Sequence, residues 1–415
     1  MTVAHDERPD HTDAARLAVL GAAAAHDPDG AVSPSLWARV LPHYTALSEL
    51  LSATGADVAA ELARHGHDPG RVDRRRRLEA ATVRSLDADA RLSGEVRRLL
   101  GLIAEAGRLL PYQCEAYTGG VYASVDAQVD HLRAELRPRE SPRAAPELVV
   151  IVSYRVAEGD TERLRNLLGC LLALHAADDT DRIELVAVEQ DDQPRTSEVV
   201  GPLVDRYVHA RNDGLFNYAW GRNVGVRASS TDAPVCLLDA DMVVPPDFAR
   251  RCTDALGSGV DALLPYDRLL YLDARSSARV VGDLVDRRQV PSEGRGLRGY
   301  LMREIYGGAV VTTRELYDRV GGQDERYRGW GDEDNEFYRM LRRHGVLARN
   351  VGWLYHLDHA RPVMRDGDQR INRVAMAAPR EPGGAYGDIT RYSPAPVVAE
   401  DAHDRPGTLT TRTEP

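Results

Sequence analysis

Apolar positions fall into two regimes along this chain. From Asp13 to Leu136 they recur at helical spacing, as in LWARVLPHYTALSELL (36–51) and VRRLLGLIAEAGRLL (96–110). Breaks at Pro28, Gly55, Pro69 and Pro111 predict several helices rather than one. RRRRLEAATVRSL (74–86) carries a basic cluster, read as a solvated helical face, with an acceptor or partner contact as the alternative. Residues 1–12 are polar and predicted to be disordered, and RPRESPRAAPE (137–147) reads as a linker.

From Leu148 the pattern changes. LVVIVSY (148–154) is a continuous β-branched run, the mark of a strand buried on both faces in a parallel sheet. A helical stretch follows at 161–177, then a second strand, IELVAVEQDD (183–192), which together make a βαβ unit. VCLLDAD (235–241) and DALLPY (261–266) read as further strands. GGAVVTTRELYDRVGG (307–322) reads as strand, turn and short helix. In DEDNEFYRMLRRHG (332–345) acids lead and arginines close, the order the helix dipole prefers. The predicted fold class is α/β: a helical region (13–136), an α/β domain (148–365) and a mostly irregular tail (366–415).

The chain has 415 residues and a net charge of −11, which argues against a general nucleic-acid binder with a basic face. All 53 basic residues are arginine, so Schiff-base lysines and phosphate-loop lysines are ruled out. The four cysteines are scattered, with no CxxC pair, which suggests neither a disulfide framework nor a zinc ribbon. The polar N-terminus is not that of a signal peptide, and no apolar run is long enough to span a bilayer. A cytoplasmic protein is expected.

Three short stretches carry candidate chemistry. LLDAD places Asp239 and Asp241 at a strand end, where open α/β sheets bind ligands. At i, i+2 spacing one carboxylate can reach a hard divalent cation and the other a ligand hydroxyl. The alternative is that the pair caps the helix after Pro245 and Pro246. YHLDHARP (355–362) sets His356 and His359 three apart, and imidazole suits Mn²⁺-like ions as well as zinc. GWGDEDNEF (329–337) crowds Asp332, Glu333 and Asp334 beside Trp330. A tryptophan at a pocket lip offers a sugar ring a stacking platform, and a carboxylate in the next helical turn can take a hydroxyl proton. The alternative is capping and packing alone.

In this order the segments VSYR (152–155), FNYAWGRNVG (216–225), LLDADM (237–242), YGGAVVTTRELYDRVGG (306–322), GWGDED (329–334) and HLDH (356–359) resemble metal-dependent GT-A glycosyltransferases. The likeness is to the β-1,4-galactosyltransferases and the C-terminal module they share with polypeptide N-acetylgalactosaminyltransferases. It covers roughly 210 residues and neither the first 145 nor the tail. It implies a GT-A, Rossmann-like nucleotide-diphospho-sugar transferase domain, an inverting mechanism, a nucleoside-diphosphate sugar donor (UDP-linked) and Mn²⁺ or Mg²⁺.

Residue roles follow from the resemblance alone. Arg155, Phe216, Asn217 and Asn223 fall on nucleotide-side positions, with Gly225 closing their element. Asp239 falls on the ribose or nucleotide side and Asp241 on the metal-binding acid. Gly307 and Gly308 begin the donor-sugar wall, and Trp330 bridges donor and acceptor. Glu333 matches the acceptor-binding acid and Asp334 the catalytic base. His359 falls on the metal-ligand histidine, with His356 one step before it, and both stay candidates. Asp332 stands where the family has glycine, and VEQDD leaves Glu189 or Asp191 open as the uracil contact.

Rival readings are a non-catalytic sugar-nucleotide or carbohydrate-binding protein, a nucleotidyltransferase lacking its usual lysine, and a zinc hydrolase lacking an evident third ligand. Expected partners are a nucleotide sugar and a carbohydrate, natural-product or peptide acceptor. The helical region is expected to pack on the catalytic domain, contact acceptor or form a homodimer.

Overall fold

The structure is a computed structural model and describes residues 11–26, 34–54, 72–106, 109–113, 123–140, 145–329, 331–360, 365–366, 369–372, 375, 377–378 and 380–392. The N-terminal helices are α1 (Thr12–Ala24), α2 (Pro34–Ser52), α3 (Val72–Ala88), α4 (Ala90–Ala106) and α5 (Val125–Glu135). Between α4 and α5 lies a strand, β1 (Leu109–Gln113), inside the region read as helical. It pairs antiparallel with β9 (Arg298–Arg303) at a sheet edge, where Pro111 is tolerated. Of the predicted basic face, Arg75 is buried and paired with Glu79 at 3.0 Å, while Arg76 and Arg77 are exposed.

The main sheet has seven strands. Its centre is β2 (Leu148–Tyr154), β3 (Ile183–Glu189) and β5 (Val235–Asp239), all parallel. β4 (Arg206–His209) lies outside β3, and β10 (Ala309–Thr312), β7 (Ala262–Leu264) and β11 (Leu347–Arg349) extend the other side. Alternation along β2 divides the core in two. Val150 and Val152 pack with α6 (Thr161–His175), whereas Val149 and Ile151 pack with α7 (Tyr218–Ala228). This two-faced burial is why the strand reads as an unbroken apolar run.

Two glycines one turn apart seat α7 on the sheet. A Cβ on Gly225 would stand 2.4 Å from Ile151 Cγ2, and one on Gly221 2.1 Å from Ser153 Oγ. The close approach delivers Arg222 to the carboxyl ends of the strands. α8 (Phe248–Gly257), α9 (Ala274–Arg287), α10 (Arg314–Val320) and α11 (Glu333–His344) complete the domain.

A second sheet runs in the order β1, β9, β8 (Arg268–Leu272), β12 (Trp353–His356) and β6 (Met242–Val243). β6 follows directly on the strand-end acids and pairs with β12, so Asp241 meets the histidines through this sheet. The architecture is α/β, with a helical N-terminal region. At the linker, Arg139 Nε donates to Asp205 Oδ2 at 2.7 Å and its backbone N–H to Pro202 O at 2.8 Å. Among the described residues no helix is long and apolar enough to cross a membrane.

Candidate active site

Asp239 ends β5, and the chain turns through Ala240 and Asp241 into β6. Neither acid caps the next helix, whose N-cap is Asp247. Asp241 Oδ2 lies 2.9 Å from His359 Nε2, and its Oδ1 lies 3.5 Å from His356 Nε2. One ligand atom from each of the three lies within 4.8 Å of the others. His356 is stacked on Tyr271 with centroids 4.1 Å apart, which fixes its ring.

Nδ1 of His359 stands 2.7 Å from the Ala360 carbonyl, which can only accept. Nδ1 can donate to that carbonyl, and Nε2 faces the Asp241 carboxylate. A cation between two such groups relieves their apposition. Cis ligands about 2.1 Å from one ion stand roughly 3 Å apart, so the separations fit a divalent ion. One carboxylate and two imidazoles suit Mn²⁺ better than Mg²⁺.

Asp241 and His359 line a cleft of about 240 Å³ together with Arg155, Arg163, Phe216 and Tyr218. Arg155 braces this wall. Its guanidinium donates to the carbonyls of Gln190 (2.6 Å), Asn212 (2.7 Å) and Gly214 (2.8 Å), and it stands 5.8 Å from the Phe216 ring centroid. Other nucleotide-side candidates are engaged inside the protein. Asn217 caps α7 through Trp220 N–H at 2.9 Å and donates to Glu325 O and Tyr392 Oη, each at 2.8 Å. Asn223 accepts from Gln323 N–H at 2.9 Å and donates to Glu325 Oε1 at 2.8 Å. Glu189 is fully buried, accepting from Thr196 and Tyr207. Asp191 lies 3.3 Å from Arg195 Nε.

Gly329 N–H donates to Phe216 O at 2.7 Å, which brings the acidic stretch beside the FN segment. Trp330 lies outside the described residues. Asp332 occupies the α11 N-cap position at φ 72° without a side-chain cap bond, and its Oδ1 accepts from Asn335 at 3.1 Å. Glu333 and Asp334 form the first turn. Gly307 lies against Asp334: a Cβ there would come 2.6 Å from Asp334 Oδ2. Gly308 has φ +90°, which favours glycine, and an added Cβ would meet Met242 Cε at 3.1 Å.

Arg222 escaped the sequence reading. Its guanidinium, 2% exposed, binds Asp239 Oδ1 through Nη2 and Asp334 Oδ1 through Nη1, the latter at 3.0 Å. It also stands 4.6 Å from the Tyr218 ring centroid. One buried cation thus joins the strand-end acid to the helix-end acid. The available signal was an arginine between the two glycines of WGRNVG in a lysine-free chain.

Burial pushes the Glu333 carboxyl up to about 8, with Asp334 adding to the rise and Arg222 opposing it. The folded state therefore binds more protons than the unfolded one between an ordinary glutamate pKa and about 8, and stability falls as pH rises through that window. Glu333→Gln removes this proton uptake. Thermal melts from pH 5 to pH 8 should show a smaller loss of midpoint in the variant, and equal losses in both proteins would contradict the assignment.

Two family models match the chain. Residues 149–266 match glycosyl transferase family 2, and residues 298–360 match a model described as the N-terminal domain of galactosyltransferase. No curated protein matches. Among solved structures, S. aureus TarS is 15% identical, covering 51% of this chain and 60% of its own, at a TM-score of 0.35. A Pyrobaculum calidifontis mannosyltransferase, in complex with GDP-Man and Mn²⁺, is 16% identical, covering 55% and 62% at 0.34. A mutant Drosophila β1,4-galactosyltransferase 7, with manganese, UDP-Gal and xylobiose, is 16% identical, covering 58% and 83% at 0.36. Overall likeness is low in all three, and the assignment rests on the family models and on the sheet that carries the acids. The matches over residues 149–266 and 298–360 support a glycosyltransferase.

Proposed function

We propose that this domain is a metal-dependent, inverting glycosyltransferase that moves a hexosyl unit from a UDP-sugar to an acceptor hydroxyl. The observation that carries the reading is the meeting of Asp241, His356 and His359, with Asp241 and His359 on the wall of the cleft braced by Arg155. These three residues would hold a divalent ion, Mn²⁺ before Mg²⁺, and the uridine diphosphate would occupy the cleft. Bound there, the ion supplies Lewis-acid neutralisation of the departing diphosphate.

Asp334 is the base. Its Oδ1 is held by Arg222, so Oδ2, the oxygen beside Gly307, takes the acceptor proton. The acceptor oxygen bonds to the anomeric carbon as the bond to the diphosphate oxygen breaks on the opposite face. UDP departs with that electron pair, and the anomeric configuration inverts. Glu333, raised to about 8, keeps its proton at neutral pH and can donate a hydrogen bond to the acceptor. The acceptor is a hydroxyl of a carbohydrate, natural product or peptide.

Calorimetry with UDP tests the reading. Binding should require Mn²⁺, vanish in EDTA and weaken at least tenfold in Asp241→Ala. UDP binding indifferent to metal and to the substitution would contradict it.

A further inference from the structure

The backbone between the two histidines is gripped from elements outside the strand that carries them. The Asp358 carbonyl accepts from Arg165 Nη2 at 2.7 Å and from Asn166 Nδ2 at 3.2 Å. The Asp358 N–H donates to Ser277 Oγ at 2.7 Å. Arg165 and Asn166 sit on α6 and Ser277 on α9, and all three are buried.

The grip continues into the N-terminal region. Arg165 Nη1 donates to Gln128 Oε1 at 3.1 Å. Gln128 is a buried residue of α5, and its own Nε2 donates to Ala123 O at 2.8 Å. Arg165 is only 3% exposed. A guanidinium so far from water is costly unless its donors are matched, and hydrogen bonds from a charged donor are shorter and stronger than neutral ones. Here the guanidinium is matched to one carbonyl of the HLDH segment through Nη2, to one amide of the helical region through Nη1, and to Asn166 Oδ1 through Nε.

His356 ends a strand, whereas His359 follows it in irregular chain. Their rings, 5.2 Å apart, keep that spacing only if the intervening backbone is fixed. We infer that Arg165, oriented by Gln128, is a positioning residue for the Asp241–His356–His359 cluster, so that the N-terminal helical region is a working part of the metal site. The inference rests on the metal-binding reading above. Partners that orient metal ligands typically change affinity by about 10–100-fold when altered.

The test uses Mn²⁺ alone, titrated by calorimetry into the full chain, with thermal melts in EDTA to follow the fold. Arg165→Lys should weaken Mn²⁺ about 10-fold or more, because an ammonium cannot reproduce the planar fork. Gln128→Ala should weaken it in the same direction, and Gln128→Glu, which keeps an acceptor oxygen, should restore it. Unchanged Mn²⁺ affinity in Arg165→Lys and Gln128→Ala would overturn the inference while leaving the metal site standing. Wild-type protein that takes up no Mn²⁺ would instead overturn the metal-site reading itself. Should Arg165→Lys fail to fold, Gln128→Ala against Gln128→Glu decides the matter.

Discussion

Asp334→Asn is expected to cut glycosyl transfer by about 10²–10⁴-fold, the usual contribution of a positioned general base. The substitution keeps the shape of the side chain and an oxygen for Arg222 Nη1, which now lies 3.0 Å from Asp334 Oδ1. It removes the ability to take a proton and one of the two charges paired with Arg222, while Asp239 still pairs with the guanidinium. Mn²⁺-dependent UDP binding should therefore stay near wild type, and the variant should remain folded with a lowered thermal midpoint. Steady-state turnover at saturating donor and acceptor is the measurement. A variant that folds normally and turns over at near-normal rate would remove Asp334 from the chemistry.

Arg222→Met should be the most destabilising single change at the site. The guanidinium is 2% exposed, and its removal leaves Asp239 and Asp334 facing each other without a cation. Breaking a buried ion pair from one side costs about 3–5 kcal/mol, because the surviving charge is stranded. Both acids keep some contact with water, at 18% and 25% exposure, which favours the lower end of that range. Asp239→Asn in the same chain removes part of the repulsion, so the double variant should recover part of the loss. Denaturant unfolding measures both. A single-variant loss under about 1 kcal/mol would mean that the pair does not hold the site together.

The central strands were legible because burial on both faces writes itself as an unbroken apolar run, as in LVVIVSY. The helix at Glu333–His344 was legible from its charges, acids first and arginines last. The second sheet was not. RLLYL, RGYLMR and WLYH are short, carry polar or charged residues, and gain meaning only from partners far along the chain. LLPYQ read as the end of a helical stretch, since an edge strand tolerates the proline that seemed to close it.

The candidate site divides in the same way. Asp241, His356 and His359 stood in short motifs, and the β6–β12 pairing brings them together. Arg222 lies 112 residues from Asp334, so no local pattern announced the bridge. Asn217 and Asn223 stood in a segment resembling a nucleotide-side element, and their side chains hold the Gln323–Glu325 turn. A motif names a neighbourhood, while the direction a side chain takes depends on which backbone groups nearby lack partners.

The most direct test is UDP release from UDP-galactose, UDP-glucose, UDP-N-acetylglucosamine and UDP-N-acetylgalactosamine, each with acceptor hydroxyls supplied as a mixed panel of sugars. Wild type and Asp241→Ala are compared in Mn²⁺ and in EDTA. Release from one donor that needs Mn²⁺ and disappears in Asp241→Ala is the predicted result. Release that persists in EDTA, or that Asp241→Ala retains in full, would contradict the account.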